Sequence, residues 1–246
     1  MAGYGEFAGV YDLLTENVPY DEIAEYYNNI ITALGGGKRL LDMGCGTGSL
    51  SVRLADIGYD VIGSDASADM LSVAAQKSDK VRWICQSMTE TELYSAAETA
   101  ISTLDSINHL SDKEEILTCF ERLSENLTAG GLFVFDVNTV YKHREILGDN
   151  TFIYDVDGVY CAWNNTFRPE DNGVDIELDL FYENEDGSYS RGYESFGEIA
   201  LTIEELTELL EKAGFEVEKV YDYLTFDPPR ADSEKLLVAA RKKRAA

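Results

Sequence analysis

The sequence predicts an α/β chain: a doubly wound, mostly parallel sheet that carries an antiparallel β insertion. Three observations point there. Apolar runs of strand length alternate with segments of helical period through the first 137 residues. Two of those runs end in an acid, and the first leads into a glycine-rich turn, Leu40-Leu-Asp-Met-Gly-Cys-Gly-Thr-Gly-Ser49. Residues 151–200 then alternate aromatic and polar side chains, broken by the hairpin dipeptides Asp157-Gly, Asn172-Gly and Asp186-Gly. Strand-helix alternation requires right-handed crossovers and a parallel sheet, and ligands of such sheets sit at the carboxyl ends of the strands.

The elements follow in order. An N-terminal segment and a helix near 21–34 precede Gly35-Gly-Gly37, which breaks the helical pattern. Strands are expected near 39–43, 61–65, 81–85, 99–104 and 132–137, with helices at 50–57, 68–77 and 113–127. The insertion reads as three or four antiparallel strands, including 159–167, 174–182 and 189–198. Thr202 then N-caps an amphipathic helix in which Glu205 completes a capping box and Leu206, Leu209 and Leu210 form the apolar stripe. Ala213-Gly-Phe215 ends that helix, and strands near 216–223 and 235–240 return to the main sheet. Residues 1–150 and 201–246 are therefore expected to form a ligand-binding domain with an N-terminal helical cap, and 151–200 a subdomain covering the substrate. Tyr154, Tyr160, Trp163, Phe167, Phe181, Tyr182 and Tyr193 could line an apolar pocket there, pack as the inserted sheet's core, or make a homodimer contact.

Composition narrows the partners. A chain of 246 residues can bury one large core plus an insertion. Its net charge of -26, from 46 acids against 20 bases, repels nucleic-acid phosphate and anionic membrane. The basic run Arg241-Lys-Lys-Arg244 is expected to be a solvated tail. Four scattered cysteines and two histidines indicate neither a metal site nor a disulfide scaffold. No apolar run approaches the ~20 residues of a membrane span, and the start lacks a basic region followed by an apolar one. A cytoplasmic protein with reduced thiols is expected.

The glycine-rich turn carries the chemistry. Gly44, Gly46 and Gly48 fall at every second residue, whereas the dinucleotide fingerprint is Gly-x-Gly-x-x-Gly. Asp42, at the strand end, would repel a pyrophosphate in a partly desolvated site and suits an ammonium instead. These two features oppose a nicotinamide-dependent dehydrogenase. Asp65 ends the second strand about 20 residues beyond the glycines, where a carboxylate accepts from ribose hydroxyls. A nucleoside that carries an amino acid is S-adenosylmethionine.

Leu40 to Ser49 with Asp65 resembles motifs I and II of class I S-adenosylmethionine-dependent methyltransferases. The whole chain resembles the bacterial YqeM-like group, through Phe7-Ala-Gly-Val-Tyr-Asp-Leu-Leu14 with Pro19-Tyr20, Leu104-Asp-Ser-Ile-Asn108 and Phe133-Val-Phe-Asp-Val-Asn-Thr139. That resemblance implies a seven-stranded Rossmann-like methyltransferase sheet whose last strand is antiparallel. It implies a cofactor site of Asp42, Gly44, Cys45, Gly46 and Gly48, then Asp65, Ala66 and Met70, then Gln86, Ser87 and Met88 on the adenine side, and Leu104 and Asp105, with Tyr11 and Tyr20 closing over it. Asp105, Asn108 and His109 follow the fourth strand, which in this superfamily faces the transferred methyl, and Asp136 and Asn138 end the fifth. The cofactor is already activated, so the protein contributes mainly alignment and desolvation, and a base is needed only where the acceptor arrives protonated. A small-molecule acceptor is expected. The alternatives are transfer to tRNA or another macromolecule, and a binding protein that has lost transfer.

Overall fold

Residues 5–244 are described in a computed structural model of the chain; residues 1–4, part of the start on which the leader expectation rests, lie outside the described residues. Strands β1 (Arg39–Met43), β2 (Asp60–Asp65), β3 (Arg82–Cys85), β4 (Ala97–Ser102) and β5 (Leu127–Asn138) pair in parallel. Strand β11 (Lys235–Lys242) lies antiparallel between β5 and β10 (Phe215–Asp222). The order β10-β11-β5-β4-β1-β2-β3 makes seven strands, and the winding reverses between β1 and β4. A crevice opens at such a reversal, so the glycine turn after β1 and the loop after β4 flank it.

Both faces of this sheet are covered, which is why its strands are apolar at successive residues. Leu40, Val61, Ile101 and Val134 pack beneath α2 (Tyr20–Ala33) and α3 (Ser49–Ile57), while Leu41, Ala100 and Phe133 pack beneath α5 (Lys113–Asn126) and α6 (Ile203–Lys212). Thr202 and Glu205 form the expected capping box at the start of α6. Strand β4 stops at Ser102, short of the expected residue 104, because Leu104 and Asp105 take left-handed φ values of 53° and 57°.

The insertion is a four-stranded antiparallel sheet: β6 (Thr151–Val156), β7 (Val159–Arg168), β8 (Gly173–Glu183) and β9 (Tyr189–Glu198). Its inner face shares a third apolar core with α1 (Gly5–Leu14) and Met70 of α4 (Ala68–Lys77), so the N-terminal helix ties the insertion to the main domain. The aromatic residues do not form one face. Tyr154, Trp163 and Tyr182 pack on that core, and Phe167 has the parity of Trp163; Tyr160 and Tyr193 are exposed on the opposite side, where Phe181 meets Tyr160 edge-on. The two-residue period of a strand enforces the division.

The basic run is not a free tail. Arg241 and Lys242 belong to β11, where Arg241 pairs with Glu218 and donates to the carbonyls of Gly130 and Leu34. Lys242 Nζ donates to the carbonyls of Ser124 and Leu127 at the end of α5, groups a helix terminus leaves unpaired.

Gly48 has φ of +73°, and a Cβ there would collide with the Trp83 indole. Gly48→Ala is expected to lower the unfolding free energy by about 3 kcal/mol, from overpacking plus a left-handed backbone. Urea unfolding checks this, and an unchanged midpoint would contradict it.

Candidate active site

The glycine turn is fixed from two sides. Asp65 accepts the Gly46 N–H at 2.8 Å on one oxygen and the Ser67 N–H at 2.8 Å on the other. Asp12 of α1 accepts from the Thr47 hydroxyl at 2.6 Å and from Ser49, and pairs with Lys77 at 2.5 Å, so the cap helix is pinned on the turn. A Cβ at Gly44 would press on Ser106 at 2.8 Å, whereas one at Gly46 meets nothing within 4 Å. Gly46, at φ +54°, is thus the residue of the three whose missing side chain leaves space open among the described residues.

Two buried polar atoms at the strand ends have no hydrogen-bond partner among the described residues: Asp42 Oδ1 and Gln86 Nε2. The other Asp42 oxygen accepts from the Ser51 hydroxyl. Burial pushes the Asp42 carboxyl up to about 7, with Ser51 opposing and the Asp65 charge reinforcing the rise. An unpaired buried carboxylate oxygen and an unpaired buried amide N–H fit a ligand that offers an ammonium and a hydrogen-bond acceptor. Burial also raises Asp65, against the Ser67 and Gly46 amides that lower it.

Other expected cofactor residues take varied places. Cys45 is largely shielded, its thiol pushed well up by burial and then by Asp42 and Asp65. Ala66 is exposed. Ser87 caps the short 3₁₀ turn Met88–Glu90, and Met88 packs against the α5 side of the core. Met70 points into the core under the insertion, where packing accounts for it. Burial, followed by Tyr20 and Asp105, raises the Tyr11 hydroxyl; burial also raises Tyr20, whose ring lies under Arg53 at 5.3 Å.

Beyond β4, a buried knot shapes the loop. Asp136 accepts the N–H groups of Leu104 (2.9 Å) and Asp105 (2.8 Å) and the Tyr27 hydroxyl (2.9 Å), and lies 3.2 Å from Lys235 Nζ. Lys235 also donates to Asp105 at 2.7 Å. Burial alone would raise Asp105, but Lys235, then Lys142 and His109, hold its carboxyl well below the usual range. Asn108 is buried with its amide committed to Asn138 and Ile199 backbone groups, so it braces the loop and does not face the cavity. Asp136 likewise serves the loop.

Asp105, Asn138, Lys142 and Glu198 form the polar part of a cavity of about 180 Å³, and Phe152, Tyr154 and Trp163 of the insertion form much of its apolar wall. His109 lies 3.8 Å from Glu198, with about a third of its side chain exposed. Donor atoms of Asp105, His109 and Glu198 all fall within 4.8 Å of one another, though Lys235 already neutralises Asp105. Sequence reasoning did not single out Asp12, Tyr27, Lys142, His143, Glu198 or Lys235. Apart from Lys142, which donates to Asn138 four positions away, the partners of the last five lie 29 to 130 positions away, and no local spacing marks them.

A methyltransferase-domain family model matches residues 40–131. Two relatives with methyltransferase names, one from Geobacillus sp. (strain WCH70) and the YqeM protein of Bacillus subtilis (strain 168), are 33% and 31% identical. Each alignment covers 97% of this chain, and 99% and 97% of the relative. A crystal structure of an S-adenosylmethionine-dependent methyltransferase from Clostridium acetobutylicum ATCC 824 superposes with a TM-score of 0.87 at 26% identity, over 98% of this chain and 99% of that one. S-adenosylmethionine-bound CalS10 from Micromonospora echinaspora shares the fold at a TM-score of 0.76 and 21% identity, over 95% and 97%.

The crevice, its glycine turn and its two strand-end acids are those of a class I S-adenosylmethionine-dependent methyltransferase. The sulfonium cofactor supplies an activated methyl group; Asp42 could meet its ammonium, Asp65 its ribose and Gln86 its base. By sequence the chain belongs to the YqeM-like methyltransferase family.

Asp42 gives a test with a definite sign. Its folded value, about 7, exceeds the ordinary 3.8, so the fold holds a proton there that the unfolded chain releases between those pH values. Stability is therefore lost as pH rises through that window, by about 1.4 kcal/mol per unit at most. Asp42→Asn removes the charge and is expected to raise the melting temperature of the cofactor-free protein at pH 8 more than at pH 4.5, while weakening S-adenosylhomocysteine binding at least tenfold. Equal stabilisation at both pH values would contradict the assignment.

Proposed function

We propose that the protein transfers the cofactor's methyl group, by in-line displacement, to a small molecule held in the cavity beneath the inserted sheet. The observation that carries this reading is the cavity itself. It is bounded by Asp105 at the loop after β4 on one side and by the insertion on the other, so an acceptor within it lies beside the crevice at the β1/β4 reversal. Residues 151–200 act as the substrate cover on a cofactor domain made of 1–150 and 201–246.

A volume of about 180 Å³ suits a small acceptor or the end of one, and the aromatic wall excludes water from the transfer path. Asp105 and His109 border the acceptor, Asn108 sets their loop, and Tyr11 and Tyr20 close the cofactor side. CalS10 is described as an amino pentose methyltransferase and KedS8 as a sugar N-methyltransferase, so this architecture serves small acceptors elsewhere. The charge of -26 opposes an RNA substrate. The four free cysteines, and the absence of any described helix long and apolar enough to cross a membrane, support the cytoplasmic setting.

Calorimetry with S-adenosylmethionine and S-adenosylhomocysteine tests the cofactor half. Asp65→Asn is expected to weaken both by ten- to a hundredfold, the value of about 1.5–3 kcal/mol for hydrogen bonds to a charged group. Trp163→Ala, on the acceptor side, is expected to leave both affinities unchanged. Loss of cofactor binding in Trp163→Ala would contradict the division of the site into two halves.

A further inference from the structure

Glu198 ends β9, is 3% exposed and lines the cavity. Its Oε2 accepts from Asn138 Nδ2 at 3.0 Å and faces His143 Nε2 at 3.1 Å. His143 is fully buried in a π-helical turn (Lys142–Leu147) and places Nδ1 2.9 Å from the Asn172 carbonyl oxygen. A carbonyl only accepts, so Nδ1 carries a proton. The Nε2 to Oε2 contact then needs a second proton, since two lone pairs would otherwise face each other in a buried site. Asn138 donates to Oε2, and a carboxyl group is the stronger acid of the two, so the second proton belongs on Nε2. An imidazolium against a carboxylate results, each offsetting the burial cost of the other. The remaining oxygen, Oε1, accepts no hydrogen bond from the described residues and lies 3.8 Å from His109 Nε2.

Resting on the methyltransferase reading of the cavity, we propose that Glu198 is a catalytic residue: Oε1 binds the N–H or O–H of the acceptor and takes its proton. His143 is the buried positioning residue that orients the carboxylate. As the acceptor's nitrogen or oxygen forms its bond to the methyl carbon, the bonding pair of the broken carbon–sulfur bond stays on sulfur. The acceptor's N–H or O–H pair stays on the nucleophile, and the proton passes to Oε1. The charged groups around Glu198 are His109 from the loop after β4, Asp105 across the cavity with Lys235 behind it, and Lys142, which donates to Asn138 at 2.9 Å. Arg168 of β7 donates to the Glu198 carbonyl at 3.1 Å and pairs with Asp171 and Asp175. The acceptor class that follows is a small amine or alcohol with an apolar face to set against Phe152, Tyr154 and Trp163.

Nitrogen-15 NMR of histidine-labelled protein tests the pair without any acceptor. At pH 7.5 His143 is expected to show two protonated nitrogens in the native sequence and the neutral Nδ1–H form in Glu198→Gln. A neutral His143 in the native sequence would overturn the proposal. Methyl-tritiated S-adenosylmethionine is then offered to a panel of small amines, alcohols, thiols and carboxylic acids. Label on nitrogen or oxygen, transferred about 100-fold more slowly by Glu198→Gln with S-adenosylhomocysteine affinity within twofold of native, supports it. Label on sulfur or a carboxylate, or an unchanged rate in Glu198→Gln, would overturn it. If no panel member is labelled, the histidine result decides. Failure of the native protein to bind S-adenosylhomocysteine would refute the methyltransferase reading of the cavity separately, leaving the histidine result intact.

Discussion

The carboxylate of Asp136 is the interaction on which the site depends. It is wholly buried and meets two backbone amides, a tyrosine hydroxyl and a lysine ammonium from three parts of the chain: the loop after β4, α2 and β11. Two consecutive non-glycine residues in the left-handed region cost about 1–3 kcal/mol each. Charge-assisted hydrogen bonds to their own N–H groups offset that cost, and the Lys235 ammonium lies between this carboxylate and that of Asp105. Without this knot, nothing in the local sequence Leu104-Asp105 would favour the turn that brings Asp105 to the cavity.

The crevice separates two electrostatic tasks. On the cofactor side, Asp42 and Gln86 keep buried polar atoms unpaired, which costs stability until a ligand meets them. Toward the insertion, polar groups are matched in advance: Asp105 with Lys235 and Glu198 with His143. The aromatic inner face of the insertion covers this second half, and α1, pinned through Asp12 to the glycine turn, joins the two. Cofactor affinity and acceptor chemistry should therefore respond to different substitutions.

Much of this was legible in the sequence where a local period or a turn residue fixed the outcome. The strand-turn-helix at Leu40 to Leu50, the capping box at Thr202 and the hairpin dipeptides each specify structure within a few residues. The features that were not legible depend on distant partners. Lys235 meets Asp105 across 130 positions, and Glu198 meets His143 across 55. Asn108 looked like a substrate contact because its loop faces the crevice, yet its amide is consumed by Asn138 and Ile199. Arg241 and Lys242 looked like a tail because the carbonyls they satisfy lie at the ends of α2 and α5 and at the start of β5, elements remote in sequence.

Amide hydrogen exchange at Leu104 and Asp105 tests the central constraint most directly. Bonded to a buried carboxylate, both amides are predicted to be protected as strongly as those in the middle of β5, opening only with global unfolding. Exchange of either amide at the rate of an unprotected surface loop would contradict it.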